Sequence, residues 1–213
     1  MRINLRSYES PKDYWRVDHF LMKHYQPENQ DGNWIEPAWE YMHAHPLLDS
    51  SNLGKFGIWE DGEEVVGVAH YEWHMGEAFF QYHPAYTHLK EEMLDYAEKH
   101  LYGEKDGKKF LRAYVNDNDE ALTGLVQARG YRKIEGEARP MAKLAITDPF
   151  PPIELPEEFR LTSLAEDCDW RKVNRVLWRG FNHEGEPPHS AEDLEDRRKM
   201  FESPKGRHDL KIA

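Results

Sequence analysis

Cysteine is almost absent from this chain: Cys168 stands alone among 213 residues. A lone thiol cannot close an internal disulfide, so the expected fold is held by its core in a reducing setting. No apolar run approaches the length of a membrane span, and the opening Met-Arg-Ile-Asn-Leu-Arg has no apolar centre of the secretory kind. The expectation is a cytoplasmic protein with no membrane partner. Positive charge is also short: 28 Lys and Arg face 40 Asp and Glu, a net charge of −12. That argues against nucleic acid as a partner, because binding the phosphate backbone needs a basic face. An acidic field steers cations such as amines, and it equally keeps a protein in solution.

Aromatics are plentiful. Seven Trp and 39 % hydrophobic residues support a packed core rather than disorder. The stretch from Lys55 to Leu101 organises the rest. Two β-rich segments flank Asp61-Gly62, a dipeptide suited to a tight hairpin. A third, Glu77 to Tyr82, follows Gly76 and runs into Pro84, and a helix continues to Leu101. The unit is a three-strand meander whose last strand feeds a helix N-terminus, a place where free backbone N–H groups bind anions.

Before the meander, Ile3 to Tyr8 alternates as a strand. Ser10-Pro11 opens a helix with Ser at the cap and Asp13 near the positive dipole end. Gln26 to Asn33 reads as a polar loop, and Pro37 to His43 as a short helix. After the meander, Lys109 to Val115 reads as a strand. Asn116 to Glu120 caps a helix through Gln127 that Gly130 ends. Tyr131 to Ile134 and Pro140 to Ile146 read as two closing strands. Four prolines between Asp148 and Pro156 make a semi-rigid connector.

Beyond the connector the opening of the chain recurs. At a shift of 156, Phe159 meets Ile3, Leu161 meets Leu5, Asp169 meets Asp13, Trp170 meets Tyr14, Val173 meets Val17 and Leu177 meets Leu21. Strand alternation and the apolar helix face are both kept in one ungapped frame. Lys211 falls on Lys55, so the expectation is a second repeat cut short as its meander begins. A half-built sheet leaves open edges. It would be completed in a longer tandem protein, or by packing on the first domain or on another subunit of a homo-oligomer.

The order strand, helix, helix, three-strand meander, helix, strand, helix, strand resembles the GNAT superfamily of acetyl-CoA-dependent N-acetyltransferases. Phe56 to Ala69 is similar to that family's hairpin, and Asn116 to Tyr131 to its late helix and following strand. The resemblance implies an α/β (α+β) GNAT acyl-CoA N-acyltransferase fold with a central mixed sheet flanked by helices. Residues 1–147 would be one complete repeat, 148–156 the linker, and 157–213 the first part of a second, as in tandem GNAT proteins. It implies acetyl transfer from acetyl-CoA to a small amine.

In that family the cofactor binds where the fourth strand meets the third helix, through a glycine-rich loop. The positions that would face it here are Tyr82, His83, Tyr86, Thr87, His88, Lys90 and Asn116. No glycine lies between His83 and Lys90, so side chains stand where bare backbone should meet pyrophosphate. The late-helix tyrosine that protonates the leaving thiolate in many members is replaced by Leu125 or Val126, neither of which donates a proton. Both departures point to a cofactor-deficient first repeat, with any activity residing in the second. The alternative is a non-enzymatic GNAT-like domain that binds a ligand or partner in the old cleft.

Acetyl transfer needs a base for the ammonium proton and an N–H on the thioester carbonyl. Glu72, Gln81 and His83 are the candidates for the base, though strand alternation alone also puts polar residues there. Trp34 and Trp39 lie in the region that covers the family's acceptor site and are the pocket candidates. The 12 histidines invite a metal reading at His43, His45, His70, His74, His83 and His88. No cysteine accompanies them and no His-Glu-x-x-His is present, so no metal is expected.

Overall fold

The computed structural model describes residues 3–27, 29, 31–140, 142, 144–152, 154–158 and 160–211. It divides into two compact units, one of residues 3–129 with 202–205, the other of 130–201 with 206–211.

The first unit is a mixed α/β structure. Its strands are β1 (Ile3–Ser7), β2 (Gly57–Asp61), β3 (Glu64–His70), β4 (Glu77–Tyr82), β5 (Gly103–Lys105), β6 (Lys108–Phe110) and β7 (Arg112–Ala113). Its helices are α1 (Lys12–Lys23), α2 (Glu36–Ala44), α3 (Lys90–His100) and α4 (Glu120–Ala128). Five strands form one mixed sheet in the order β1-β2-β3-β4-β7, and β5-β6 is a separate hairpin. All pairs in the five-stranded sheet are antiparallel except β4 with β7. Gly62 takes a φ of 64° in the β2–β3 turn, as a tight hairpin of this kind requires.

The central strands are covered on both faces, which is why Val65-Val-Gly-Val-Ala69 is a continuous apolar run. On one face His70 packs against Trp39 of α2 and against Phe56 and Phe79. On the other, Met93 of α3 lies against Gly67, while the Trp59 indole donates to Glu92 and packs edge-on against Tyr96. An ion cluster ties β1, α1 and β2. The Arg6 guanidinium grips both oxygens of the buried Asp13, at 2.6 and 2.7 Å, and also bonds Glu60. Burial pushes the Asp13 carboxyl up, but the bonds from Arg6, the Glu9 N–H and Arg16 prevail and hold it at about 2. A depressed carboxyl contributes stability that is full above its unfolded value of 3.8 and is lost as pH falls through about 2. Denaturation curves on this protein and on Asp13→Asn should therefore converge between pH 4 and pH 2.

Several elements differ from the sequence expectation. Pro11, not Ser10, occupies the cap position of α1, and no side chain bonds to the helix there. The stretch 109–115 is not one strand. Lys108–Phe110 folds back on β5 around Asp106-Gly107, both at positive φ, and the chain then changes partner so that Arg112–Ala113 pairs with β4. Among the described residues of 131–134 and 140–146 there is no strand. Leu144 and Ile146 are 87 % and 76 % exposed, so the alternation finds no sheet to pair with.

The second unit contains α5 (Trp170–Gly180) and α6 (Ala191–Phe201). Asp169 caps α5 through the N–H groups of Arg171 and Lys172. Trp170 packs against Phe201 and His208. Phe159 lies outside the described residues, and of the expected strand only Ser163 makes a bridge. Residues 168–179, the image of α1 at a shift of 156, largely coincide with α5, and 192–200, the image of α2, lie within α6. The Tyr8 N–H bonds to the Phe56 carbonyl at 3.0 Å, and the Leu164 N–H to the Lys211 carbonyl at 2.9 Å. That is the same link, one residue out of register.

Candidate cofactor cleft

The cleft lies at the outer edge of β4, where the strand leaves its parallel partner and turns toward α3. Pairing with β7 ends when the Tyr114 N–H bonds to the Ala78 carbonyl. Strand geometry turns the N–H and C=O of alternate residues to the same edge, so the next outward positions are Phe80 and Tyr82. Past Ala78 no strand among the described residues pairs with this edge, which leaves an opening beside Phe80 and Tyr82.

The loop between α1 and α2 fills that opening. The Asn33 side chain imitates a strand: its amide nitrogen donates to the Tyr82 carbonyl and its oxygen accepts the Tyr82 N–H, both at 2.9 Å. Asp31 fixes Asn33 by accepting its backbone and side-chain N–H groups at 3.1 and 3.0 Å. The Tyr82 hydroxyl oxygen lies 2.9 Å from the Asp31 carbonyl oxygen. Gly32, at φ 72°, sits so close to Asn116 that a Cβ there would come within 2.5 Å of the Asn116 Cβ. Asn116 in turn donates to the Asn29 carbonyl at 3.1 Å.

Beneath the loop runs a buried relay. The Trp34 N–H donates to the Gln81 side-chain oxygen at 2.6 Å, and the Gln81 amide faces His70 Nε2 at 3.0 Å. His70 Nδ1 faces the Tyr71 carbonyl at 2.9 Å. A carbonyl can only accept, so Nδ1 carries the proton and Nε2 receives the one from Gln81. Burial pushes the His70 imidazolium down to about 3, so the ring is neutral. Gln81→Leu would strand the Trp34 N–H and His70 Nε2 in the core. The expected loss is about 2–4 kcal/mol by chemical denaturation.

At the helix side of the cleft, Asp119 joins three groups. Its carboxylate accepts the Tyr82 hydroxyl at 2.7 Å, the Lys90 ammonium at 2.7 Å and the Leu122 N–H at 2.9 Å. Burial pushes the Asp119 carboxyl up, but these bonds, Lys90 first, hold it below its usual range. The Lys90 ammonium also lies 4.7 Å from the Tyr82 ring centre. The cation nearest the cleft is thus already paired inside the protein.

The helix N-terminus is also engaged. Pro84–Leu89 forms a 3-10 turn ahead of α3, with the Ala85 N–H on His83 Nδ1 and the Lys90 N–H on the Thr87 carbonyl. The open, glycine-rich geometry that cradles a pyrophosphate is not formed.

The expected site residues therefore separate. Tyr82, Lys90 and Asn116 line the cleft but are spent on Asp119 and the loop. His83 packs against His24 and Tyr86. Tyr86 reaches back to Asp61 at 2.6 Å, and Thr87 and His88 are exposed. Of the base candidates, Gln81 is an amide locked in the relay, and Glu72 is half-buried in the turn after β3. Trp34 stacks edge-on against His70 and Phe79 over the relay. Trp39 is fully buried and donates to the Tyr14 carbonyl, so it belongs to the core. Asn33, Gly32 and Asp119 carry the cleft, and the sequence marked only Asp119, as a helix cap. Among the described residues no three His, Cys, Asp or Glu side chains converge to hold a metal. No protein-family model matches this chain, and no curated protein matches it.

Proposed function

We propose that residues 1–147 form a GNAT-like repeat, with the acyl-CoA N-acyltransferase fold, in a chain of the acetyl-CoA N-acetyltransferase class. Its own cofactor cleft is sealed by the α1–α2 loop. The observation that carries this reading is the hold of Asn33 on both backbone groups of Tyr82. It occupies the end of the fourth strand, where that strand meets the third helix and where the family binds acetyl-CoA. The paired Lys90 and the closed turn at Pro84–Leu89 support it.

On this reading acetyl transfer to a small amine does not fall to the first repeat, and residues 157–213, after the 148–156 linker, carry opening elements of a second repeat of the same plan. The recurrence of both helices at a shift of 156 supports that assignment. The first repeat serves as scaffold. Its sealed cleft also favours a second reading, a non-enzymatic domain that binds a partner.

Isothermal titration of acetyl-CoA and CoA into this chain tests the sealed cleft that both readings share. A sealed cleft predicts no saturable heat up to millimolar ligand. Saturable micromolar binding would make the first cleft a working cofactor site and overturn the proposal.

A further inference from the structure

Away from the cleft, α1 and α2 bring together three carboxylates at one end of the first unit. Asp18 is buried, Glu40 is only 8 % exposed, and Glu36 opens α2 beside them. Spacings of i, i+4 put Tyr14 with Asp18 and Glu36 with Glu40. One cation sits among them, Lys205, whose segment belongs to the same unit. Its ammonium bonds Asp18 and lies 3.0 Å from Glu36, and its backbone N–H donates to Glu40 at 3.2 Å.

Three carboxylates against one ammonium leave the group under-neutralised. Two further polar atoms remain open. The Tyr14 hydroxyl, on a side chain 8 % exposed, and Glu40 Oε2 are both buried and have no hydrogen-bond partner among the described residues. A buried hydroxyl left unbonded is costly, and native cores rarely keep one without a reason. The hydroxyl lies within the field of the trio. After burial, the charges of Glu40, Asp18 and Glu36 are what raise its pKa, so it stays protonated.

We infer that Tyr14, Asp18, Glu36 and Glu40 form a receptor for a primary ammonium group, which Lys205 fills in cis and a small primary amine can enter by displacing it. A primary ammonium carries three N–H donors; that of the tethered lysine meets Asp18 and Glu36, while Glu40 holds the Lys205 backbone N–H instead. The unbonded Tyr14 and Glu40 atoms are the acceptors that the tethered lysine leaves unused. This inference rests on the α1–α2 geometry and does not depend on the acetyl-CoA reading.

The test is calorimetric titration of n-butylammonium at pH 7 into the chain and into Lys205→Ala, with tetramethylammonium as a control cation that donates no hydrogen bond. The expected result is saturable binding to Lys205→Ala at least tenfold tighter than to the unaltered chain. That binding should be lost when Asp18→Asn is added, and tetramethylammonium should not bind. Equal binding to both proteins, no binding to a Lys205→Ala that melts normally, or equal binding of tetramethylammonium would overturn the receptor. If Lys205→Ala does not fold, the unaltered protein still decides. Hydrogen exchange at the Lys205 backbone N–H, which donates to Glu40, should speed up severalfold as n-butylammonium is added. An unchanged rate would overturn the inference.

Discussion

Replacing Gly32 by Ala should be the most damaging single change in the first unit, costing about 3–5 kcal/mol, in the range left by strain and lost buried bonds. Two effects add. The φ of 72° is one that a side chain adopts only at a cost of about 1 kcal/mol. The new Cβ would also stand 2.5 Å from the Asn116 Cβ, a distance that real Cβ atoms do not reach. The loop must then lift, and lifting it strips the Tyr82 backbone of Asn33 and Gln81 of the Trp34 N–H. Chemical denaturation of Gly32→Ala measures the total. Adding Asn116→Gly removes the steric part and should restore part of the stability, leaving the backbone strain. If Gly32→Ala is as stable as the parent, the loop is not seated against Asn116.

The second large effect is acid lability centred on His70. This imidazole is wholly buried and neutral, with its pKa pushed by burial from 6.5 to about 3. In the unfolded chain it titrates near 6.5. A depressed histidine contributes stability that is full above the unfolded value and is lost as pH falls toward the folded one. Between pH 6.5 and about 3, unfolding is therefore drawn on by one proton, with a slope of about 1.4 kcal/mol per pH unit. His43, held down to about 4 by burial, adds to the same limb. Denaturation at pH 7, 6 and 5 should show stability falling throughout that range, and His70→Phe should flatten the slope even where it lowers stability at pH 7. A pH-independent stability over this range would mean that His70 is not buried neutral.

Local features were the ones legible in the sequence. Asp61-Gly62 specified its hairpin because positive φ is a property of one residue. The apolar spacing of Tyr14, Val17 and Leu21 specified the buried face of α1, since periodicity needs no partner to be visible. The sealing loop was invisible for the opposite reason. Gln26 to Asn33 looks like any polar connector, and the bond from Asn33 to Tyr82 spans 49 positions. Nothing local in an Asn announces that it will stand in for a strand. Asp119 was half legible: its capping bond to Leu122 follows from its place before a helix, but its hold on Tyr82 and Lys90 depends on the tertiary fold. At 131–146 the alternation was real, and pattern alone cannot supply the neighbouring strand that turns alternation into a sheet.

The central claim is that the α1–α2 loop is docked on the end of β4. Amide hydrogen exchange at Tyr82 and Trp34 tests it most directly, because both N–H groups bond to side chains of the seal and its relay rather than to a neighbouring strand. The account predicts that both amides exchange as slowly as those of β3, and that millimolar acetyl-CoA leaves their rates unchanged. Rapid exchange at both positions, typical of an open loop and a free strand edge, would contradict it.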